Sequence, residues 1–328
     1  MLRESGMLVD TGELAGIGHR VVHGGEAFQQ PVRIDASVMA AIEALTPLAP
    51  LHNPANLMGI RVAMEQAAQT PQVAVFDTAF HQSMPEHAYL YALPYRYYQE
   101  QKVRRYGFHG TSHGYVARQA AKHLGRPLQE LSMITLHLGT GASAAAVKGG
   151  ECIDTSMGMT PLEGLVMGTR SGDLDPAIPF YLARQCGLDI DALDSLLNRE
   201  SGLKGICGEN DMRNIGEAAG RGDRQAGLAL SLFCYRVKKY IGAYAAALGG
   251  VDCVVFTGGI GENSALVRDM SCQGMEWLGV VIDREKNNLR EKRIREIQAA
   301  SGRVAVLVVP TDEEREIARQ TLQVIENS

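Results

Sequence analysis

The chain has 328 residues, enough for two ordinary domains, each with its own core. Hydrophobic residues make up 45% and charged residues 21%, which excludes a disordered chain, and the 36 glycines follow no period, which excludes a collagen-like repeat. The net charge of −5 argues against nucleic acid as a partner and has the wrong sign for drawing in anions over distance, so an anionic substrate must be held by a few local cations.

No apolar run reaches the length of about eighteen residues that a membrane span needs. The opening segment MLRESGMLVD lacks the basic-then-apolar pattern of a signal peptide. A cytoplasmic protein without membrane partners is expected. In chain order, helical patterning covers 35–45 and 53–68, a buried strand follows at 72–76, and a helix is expected at 112–124. The stretch 133–148, then Gly149-Gly150 and 151–155, reads as strands closed by a hairpin, so the sheet is mixed. Helices follow at 177–185 and 223–248, strands at 251–256 and 304–309, and a final helix at 311–326. Strands alternating with helices define an α/β protein. Asn53-Pro54 reads as an N-cap before a first-turn proline, and Thr311-Asp312-Glu313-Glu314 as a capping box.

Six cysteines, at 152, 186, 207, 234, 253 and 272, form no C-x-x-C pair and read as reduced, mostly buried thiols. Two glycine-rich turns follow apolar strands: HLGTGAS at 137–143 and FTGGIGEN at 256–263. Such turns let backbone N–H groups approach an anion closely, and phosphate is the usual guest. Neither matches a P-loop or a full dinucleotide fingerprint, and tight structural turns use glycine too. Polar residues also gather in GHRVVHGG (18–25), LHNP (51–54), FDTAFH (76–81), YGFHGTSH (106–113) and MGTRSGD (167–173). Residues at strand ends and in glycine loops are common catalytic positions in α/β proteins. Taken singly they have structural alternatives: Arg20 a satisfied ion pair, Asp77 a helix cap, His52 a bond to a backbone carbonyl. All nine histidines lie between His19 and His137. The His19/His23 and His109/His113 pairs have i, i+4 spacing but lack the H-E-x-x-H glutamate, so a histidine-ligated structural metal is not expected.

The stretches GHRVVHGGE, APLHNP, VFDTAFHQ, YALPY, RRYGFHGTSH, HLGTGAS, DTSMGMTPLEGLVMGTRSGDLDP, NDMR, VVFTGGIGEN and VVPTDEE, in this order, closely resemble the acetate kinase family from about Gly18 to the C-terminus. Propionate and butyrate kinases are relatives. The resemblance implies the two-domain fold of the acetate and sugar kinase, Hsc70 and actin superfamily (ribonuclease H-like, with mixed sheets). It implies boundaries of 1–78 for the N-terminal domain, completed by the helix at 314–328, and 79–313 for the nucleotide-binding domain. The implied reaction is reversible phosphoryl transfer between ATP and acetate, giving acetyl phosphate and ADP with Mg²⁺, in a homodimer. Acetate against propionate is left open, as is a non-catalytic relative that only binds nucleotide and dimerises.

Carried over residue by residue, the resemblance makes Arg20 and Arg170 the family arginines, which meet across a cleft so that two anions can touch. His109 is the histidine that contacts the transferring phosphoryl group. Asp77 orients Arg20 or a metal-bound water, and Glu313 is the Mg²⁺-associated glutamate. Val22, Leu51, Phe108 and Pro161 form the pocket for the methyl group, with His52 in support. His137, Gly139, Thr140 and Gly141 belong to the phosphate loop; Asp211, Met212, Arg213, Gly259, Ile260 and Asn263 contact the adenosine. The chain departs from the family pattern in three ways. It lacks the early N-x-G-S-S-S-x-K turn, which implies a truncated N-terminal domain and impaired activity. Thr140 stands where the family has asparagine. The segment Gly205 to Asn210 is one residue short.

Overall fold

The computed structural model describes residues 14–50 and 52–327; Leu51 of the implied pocket lies outside them. The described chain divides into two compact units. The first takes the described residues up to Gln82, Tyr106–Tyr115 and the segment from Asp312 onward; the second takes Ser83–Arg105 and Val116–Thr311. This division puts 79–82 and 106–115 with the first unit, whereas the sequence-based boundaries assign them to the second domain.

The first unit is built on a three-stranded sheet of β1 (Ile17–Val21), β2 (Val32–Arg33) and β3 (Gln72–Phe76), in the order β1-β3-β2. Strand β3, QVAVF, is buried along its whole length, as suits a central strand covered on both faces. β1 runs parallel to it, with Arg20 opposite Val75 and Val21 opposite Phe76. The helices Ala36–Ala44 and Asn53–Gln66 add Ile42, Leu57 and Ile60 to a core that includes Val21, Phe28, Ile34, Ala74 and Phe76. The Phe28 and Phe76 rings stack at 4.3 Å between centroids.

The helix Glu313–Glu326 lies against β1. A Cβ on Gly18 would stand 2.3 Å from Thr321 Oγ1 and 2.7 Å from Ile317 Cγ2, so only glycine admits the helix this closely. Its N-cap is Asp312, whose side chain accepts from Arg315 N; the Thr311 backbone N–H instead donates to Glu262 Oε1 at 3.1 Å, so the expected capping box from Thr311 does not form. Asn53 also differs from expectation. It is the first helical residue rather than the cap, because its side chain is occupied elsewhere. Asn53 Oδ1 accepts from His23 N at 3.3 Å, and Nδ2 donates to His23 O at 3.2 Å.

The second unit carries a six-stranded sheet in the order β6-β5-β4-β7-β9-β8. Its strands are β4 (Ser132–Leu138), β5 (Ala142–Lys148), β6 (Glu151–Thr155), β7 (Cys253–Thr257), β8 (Arg295–Glu296) and β9 (Ala305–Val308). β4, β7 and β9 are parallel, while β4-β5, β5-β6 and β8-β9 are antiparallel, so the sheet is mixed as expected. The stretch 133–148 is two strands, divided at Gly139–Gly141, because the glycine turn itself closes a hairpin. The long helix Arg224–Leu248 starts at Asp223, which accepts from Ala226 N, and ends at Gly249 in the left-handed conformation. It buries one apolar stripe that includes Ala229, Phe233, Val237, Ile241 and Leu248. Cys152, Cys234, Cys253 and Cys272 are buried, Cys207 is half-buried and Cys186 exposed. Among the described residues no helix is long and apolar enough to cross a membrane.

Asn53 supplies the hydrogen bonds of a buried backbone group that has no strand partner. Asn53→Ala should therefore cost about 1–3 kcal/mol, read as a lower midpoint of urea denaturation with an unchanged m-value. An unchanged midpoint would contradict this.

Candidate active site

In the first unit the chemistry gathers at the carboxyl ends of two parallel strands, where α/β sheets place their ligands. Arg20 is near the end of β1, and Asp77 is the first residue past β3. Arg20 Nε and Nη2 form a fork on the Asp77 carboxylate, with Nε 3.0 Å from Oδ1 and Nη2 2.6 Å from Oδ2. Asp77 is fully buried, whereas the Arg20 side chain keeps 45% of its surface exposed. The carboxylate thus fixes the guanidinium plane while one edge stays open. Hydrogen bonding and charge from Asp77 drive the Arg20 pKa upward. Burial pushes the Asp77 carboxyl above its ordinary range, against the pull of Arg20 and of His52 nearby.

Glu313 stands in the first turn of the C-terminal helix. Its Oε1 is buried and has no hydrogen-bond partner among the described residues. Burial, and then the charge of Asp77, raise its pKa, and Arg20 opposes them. A buried carboxylate oxygen with no donor, within the field of a second carboxylate, is a hard-oxygen site that suits a small divalent cation. The other reading of Glu313, dipole stabilisation at a helix start, also fits its position, but it leaves Oε1 without a partner. Among the described residues no group of three or more His, Cys, Asp or Glu side chains could hold a metal alone.

His109 lies just before the helix Gly110–Leu124 and has φ +57°, the left-handed region that few side chains other than glycine adopt. Gly110 N donates to Asp77 O at 2.9 Å, and a Cβ at 110 would stand 2.3 Å from that oxygen. Phe108 is buried, and its ring meets His23 edge-on at 5.7 Å. Val22, half-buried, donates its N–H to Asn56 Oδ1 at 3.1 Å. His19 lies in strand β1 and its Nε2 is 2.6 Å from Gln72 Oε1, so His19 and His23 do not share a helix face.

In the second unit the two glycine turns leave neighbouring parallel strands at the same edge. His137 of β4 is opposite Thr257 of β7, so Gly139-Thr140-Gly141 and the short helix Gly258–Asn263 start side by side. Thr140 is exposed, and its carbonyl accepts from Gly168 N at 3.0 Å. That bond ties the first turn to the loop carrying Arg170. Arg170 is half-buried; Nη1 donates to Pro161 O at 3.1 Å. Among the described residues no carboxylate pairs with it, and burial pulls its pKa below the usual guanidinium value. An arginine stays charged regardless, so this is a desolvated cation without a counter-charge.

The same loop approaches the Asp211 segment: a Cβ on Gly168 would stand 3.5 Å from Asn210 Cβ. Asp211 caps the helix Met212–Gly220 and pairs with exposed Arg213, which lowers its pKa to about 2. Met212 is buried beneath them. Asn263 Nδ2 donates to Gly259 O at 2.9 Å, and the space beside Gly259 is open; Ile260 is half-buried between them in sequence.

Two arginines beyond the sequence-based candidates support this unit. Arg268 is fully buried; its Nη1 donates to Gly261 O and Glu262 O at 2.8 and 3.0 Å, and Nε to Asn287 Oδ1 at 2.7 Å. Burial lowers its pKa to about 10. It ties down the second glycine turn from beneath. Arg105 donates to the carbonyls of Thr155 and Ser156 and to Glu163 Oε1, bracing the loop that leads to Pro161 and Arg170. Arg105 stood inside a recognisable motif; Arg268 had no local signal, because only its burial distinguishes it.

These features define an α/β protein with arginines and glycine turns at its strand ends. The chain belongs to the acetokinase family, whose model matches residues 1–319. It is 60% identical over 317 residues to an acetate kinase of Syntrophobacter fumaroxidans, covering 97% of this chain and 77% of that one. It is 56% identical over 327 residues to an acetate kinase of Thermotoga maritima, covering 98% of this chain and 80% of that one. The crystal structure of Porphyromonas gingivalis acetate kinase matches with a TM-score of 0.94 at 48% identity, covering 97% of this chain and 80% of that one. A propionate kinase from Francisella tularensis matches with a TM-score of 0.93 at 45% identity, covering 98% and 82%. The expected superfamily fold with mixed sheets is borne out by these two structures.

Because the native state raises the Glu313 pKa, its neutral form is the one the fold favours. That contribution is present below the ordinary glutamate pKa and is lost as pH rises through the raised native value. Glu313→Gln should therefore raise the melting temperature of the ligand-free protein at neutral pH and flatten its decline from acid to neutral. A lower melting temperature at neutral pH would show that the ionised carboxylate is stabilised by the fold instead.

Proposed function

We propose that this chain catalyses reversible phosphoryl transfer between ATP and acetate, giving acetyl phosphate and ADP. The observation that carries the reading is Arg170: a half-buried cation without an acid partner, on a loop hydrogen-bonded to a glycine turn. Such a group is stabilised by an arriving anion, because among the described residues no carboxylate offsets its charge.

In the forward direction a carboxylate oxygen of acetate forms a bond to the γ-phosphorus, and the bond from that phosphorus to the bridging oxygen breaks. The electron pair leaves with ADP. The nucleophile is already ionised, so no general base is required, and positioning and charge stabilisation are the main demands. Arg20, held in plane by Asp77, presents its open guanidinium edge to phosphoryl or carboxylate oxygens. Arg170 neutralises charge that develops on the transferring group, and His109 donates a hydrogen bond to it. The glycine turns at Gly139–Gly141 and Gly258–Asn263, with His137 and Thr140, receive the phosphates; the Asp211–Arg213 segment, with Gly259, Ile260 and Asn263, receives the adenosine. The family resemblance assigns Val22, Leu51, Phe108 and Pro161 to the methyl group, with His52 in support.

Glu313 would hold Mg²⁺, which its orphaned Oε1 suits, while Asp77 would orient Arg20 or a metal-bound water. Bound there, Mg²⁺ would supply charge neutralisation to the phosphates. A cytoplasmic homodimer completes the reading. The exposed Ile178, Phe180 and Tyr181 on one helix are apolar surface consistent with a subunit contact. The likeness to a propionate kinase supports a second acid as substrate, since one methylene changes discrimination by only about 1–3 kcal/mol.

Hydroxamate trapping of acyl phosphate, with ATP and either acetate or propionate, tests the reading. Turnover with one or both acids is expected; ADP binding without turnover would leave a nucleotide-binding relative. Arg170→Ala or Arg20→Ala should lower kcat by about 10²–10³-fold or more, with a smaller effect on ADP affinity in a binding titration. An equal loss in both measurements would contradict the assigned roles.

A further inference from the structure

We propose that His81, which lies outside the residues given roles above, is a positioning residue for His109, fixing the backbone that aims the His109 imidazole. The inference rests on the reading of His109 as the group that contacts the phosphoryl.

His109 is held at φ +57°. For a non-glycine residue this conformation is costly and persists only where the surroundings over-determine it. The surroundings are the segment that follows β3. His81 is fully buried in the turn Ala79–Ser83, and its Nε2 is 2.9 Å from the Phe108 carbonyl oxygen. A carbonyl only accepts, so Nε2 carries the proton. Burial lowers the His81 pKa to about 4, so the ring stays neutral at physiological pH and the bond persists.

On the other side of His109, Gly110 N donates to Asp77 O at 2.9 Å. The peptide groups flanking His109 are thus each tied to the same five residues, 77–81. The His81 ring also meets His113 edge-on at 5.7 Å, and His113 N donates to His109 O at 2.9 Å. One short segment therefore sets Asp77 against Arg20 and sets the His109 turn. Without the bond from His81, the Phe108–His109 peptide is free to relax to an ordinary φ, and the imidazole swings with it.

A buried histidine that merely fills the core predicts a different outcome, and a mutant cycle separates the two. His81→Asn, His81→Leu and His81→Gln are made in the natural sequence and in His109→Ala, with thermal melting to check each fold. Turnover is read by hydroxamate trapping with ATP and acetate. Glutamine places an amide N–H where Nε2 stands, whereas asparagine is too short to reach Phe108 O. The Asn and Leu variants should lose about 10- to 100-fold in kcat with little change in KM for ATP, and the Gln variant should keep most activity. In the His109→Ala background the loss from His81→Asn should shrink to less than about twofold, since the two act through one group. If the Leu variant does not fold, the Asn and Gln pair carries the comparison.

Equal turnover for Asn and Gln, or a loss that persists in full without the His109 side chain, would overturn the inference. Normal turnover in His109→Ala alone would instead overturn the reading of His109, and this inference with it.

Discussion

Like charges come into contact on a protein only where fixed positive charge is available to them. In the proposed reaction Arg20 and Arg170 supply it in different ways. Arg20 is clamped in a fork by a fully buried Asp77, so its position is settled and its remaining edge is directed outward. Arg170 is half-buried with no acid partner among the described residues, and its Nη1 donates to the Pro161 carbonyl and to Met167 Sδ. The first arrangement gives orientation. The second leaves a desolvated charge that an anion stabilises on arrival. A chain with a net charge of −5 needs such local cations, because its overall field repels anionic reactants.

Both units place their functional groups by the same rule of sheet geometry. Arg20 and Asp77 lie at the carboxyl ends of parallel β1 and β3. The glycine turns lie at the carboxyl ends of parallel β4 and β7. Parallel strands end together, so residues far apart in sequence emerge beside each other without any local signal. The supports run beneath: Arg268 under the second turn, Arg105 under the loop to Arg170, and the C-terminal helix pressed onto β1 through Gly18.

Several of these groups are held in states the fold alone does not favour. Glu313 keeps a buried oxygen without a donor, and His109 keeps a left-handed backbone. Each lowers the stability of the ligand-free protein, and each sits where the proposed chemistry requires it. The surrounding cores offset that cost. The stacked Phe28 and Phe76 and the fully buried β3 hold the first unit firm around the strained turn.

Much of this was legible in the chain itself. Apolar runs marked β3, β4, β7 and β9, helical spacing marked Arg224–Leu248, and long motifs marked the family, because periodicity and contiguous motifs are local properties. Capping is less legible. Asn53 looks like a cap until its side chain is found bonded to the His23 backbone, and Thr311 looks like one until Glu262 takes its N–H. Those competitors are thirty and forty-nine residues away. The burial of Arg268, the orphaned oxygen of Glu313 and the tie from His81 to Phe108 share that origin. Burial and hydrogen-bond partnership depend on what the folded chain brings alongside a residue, and only the tertiary structure decides that.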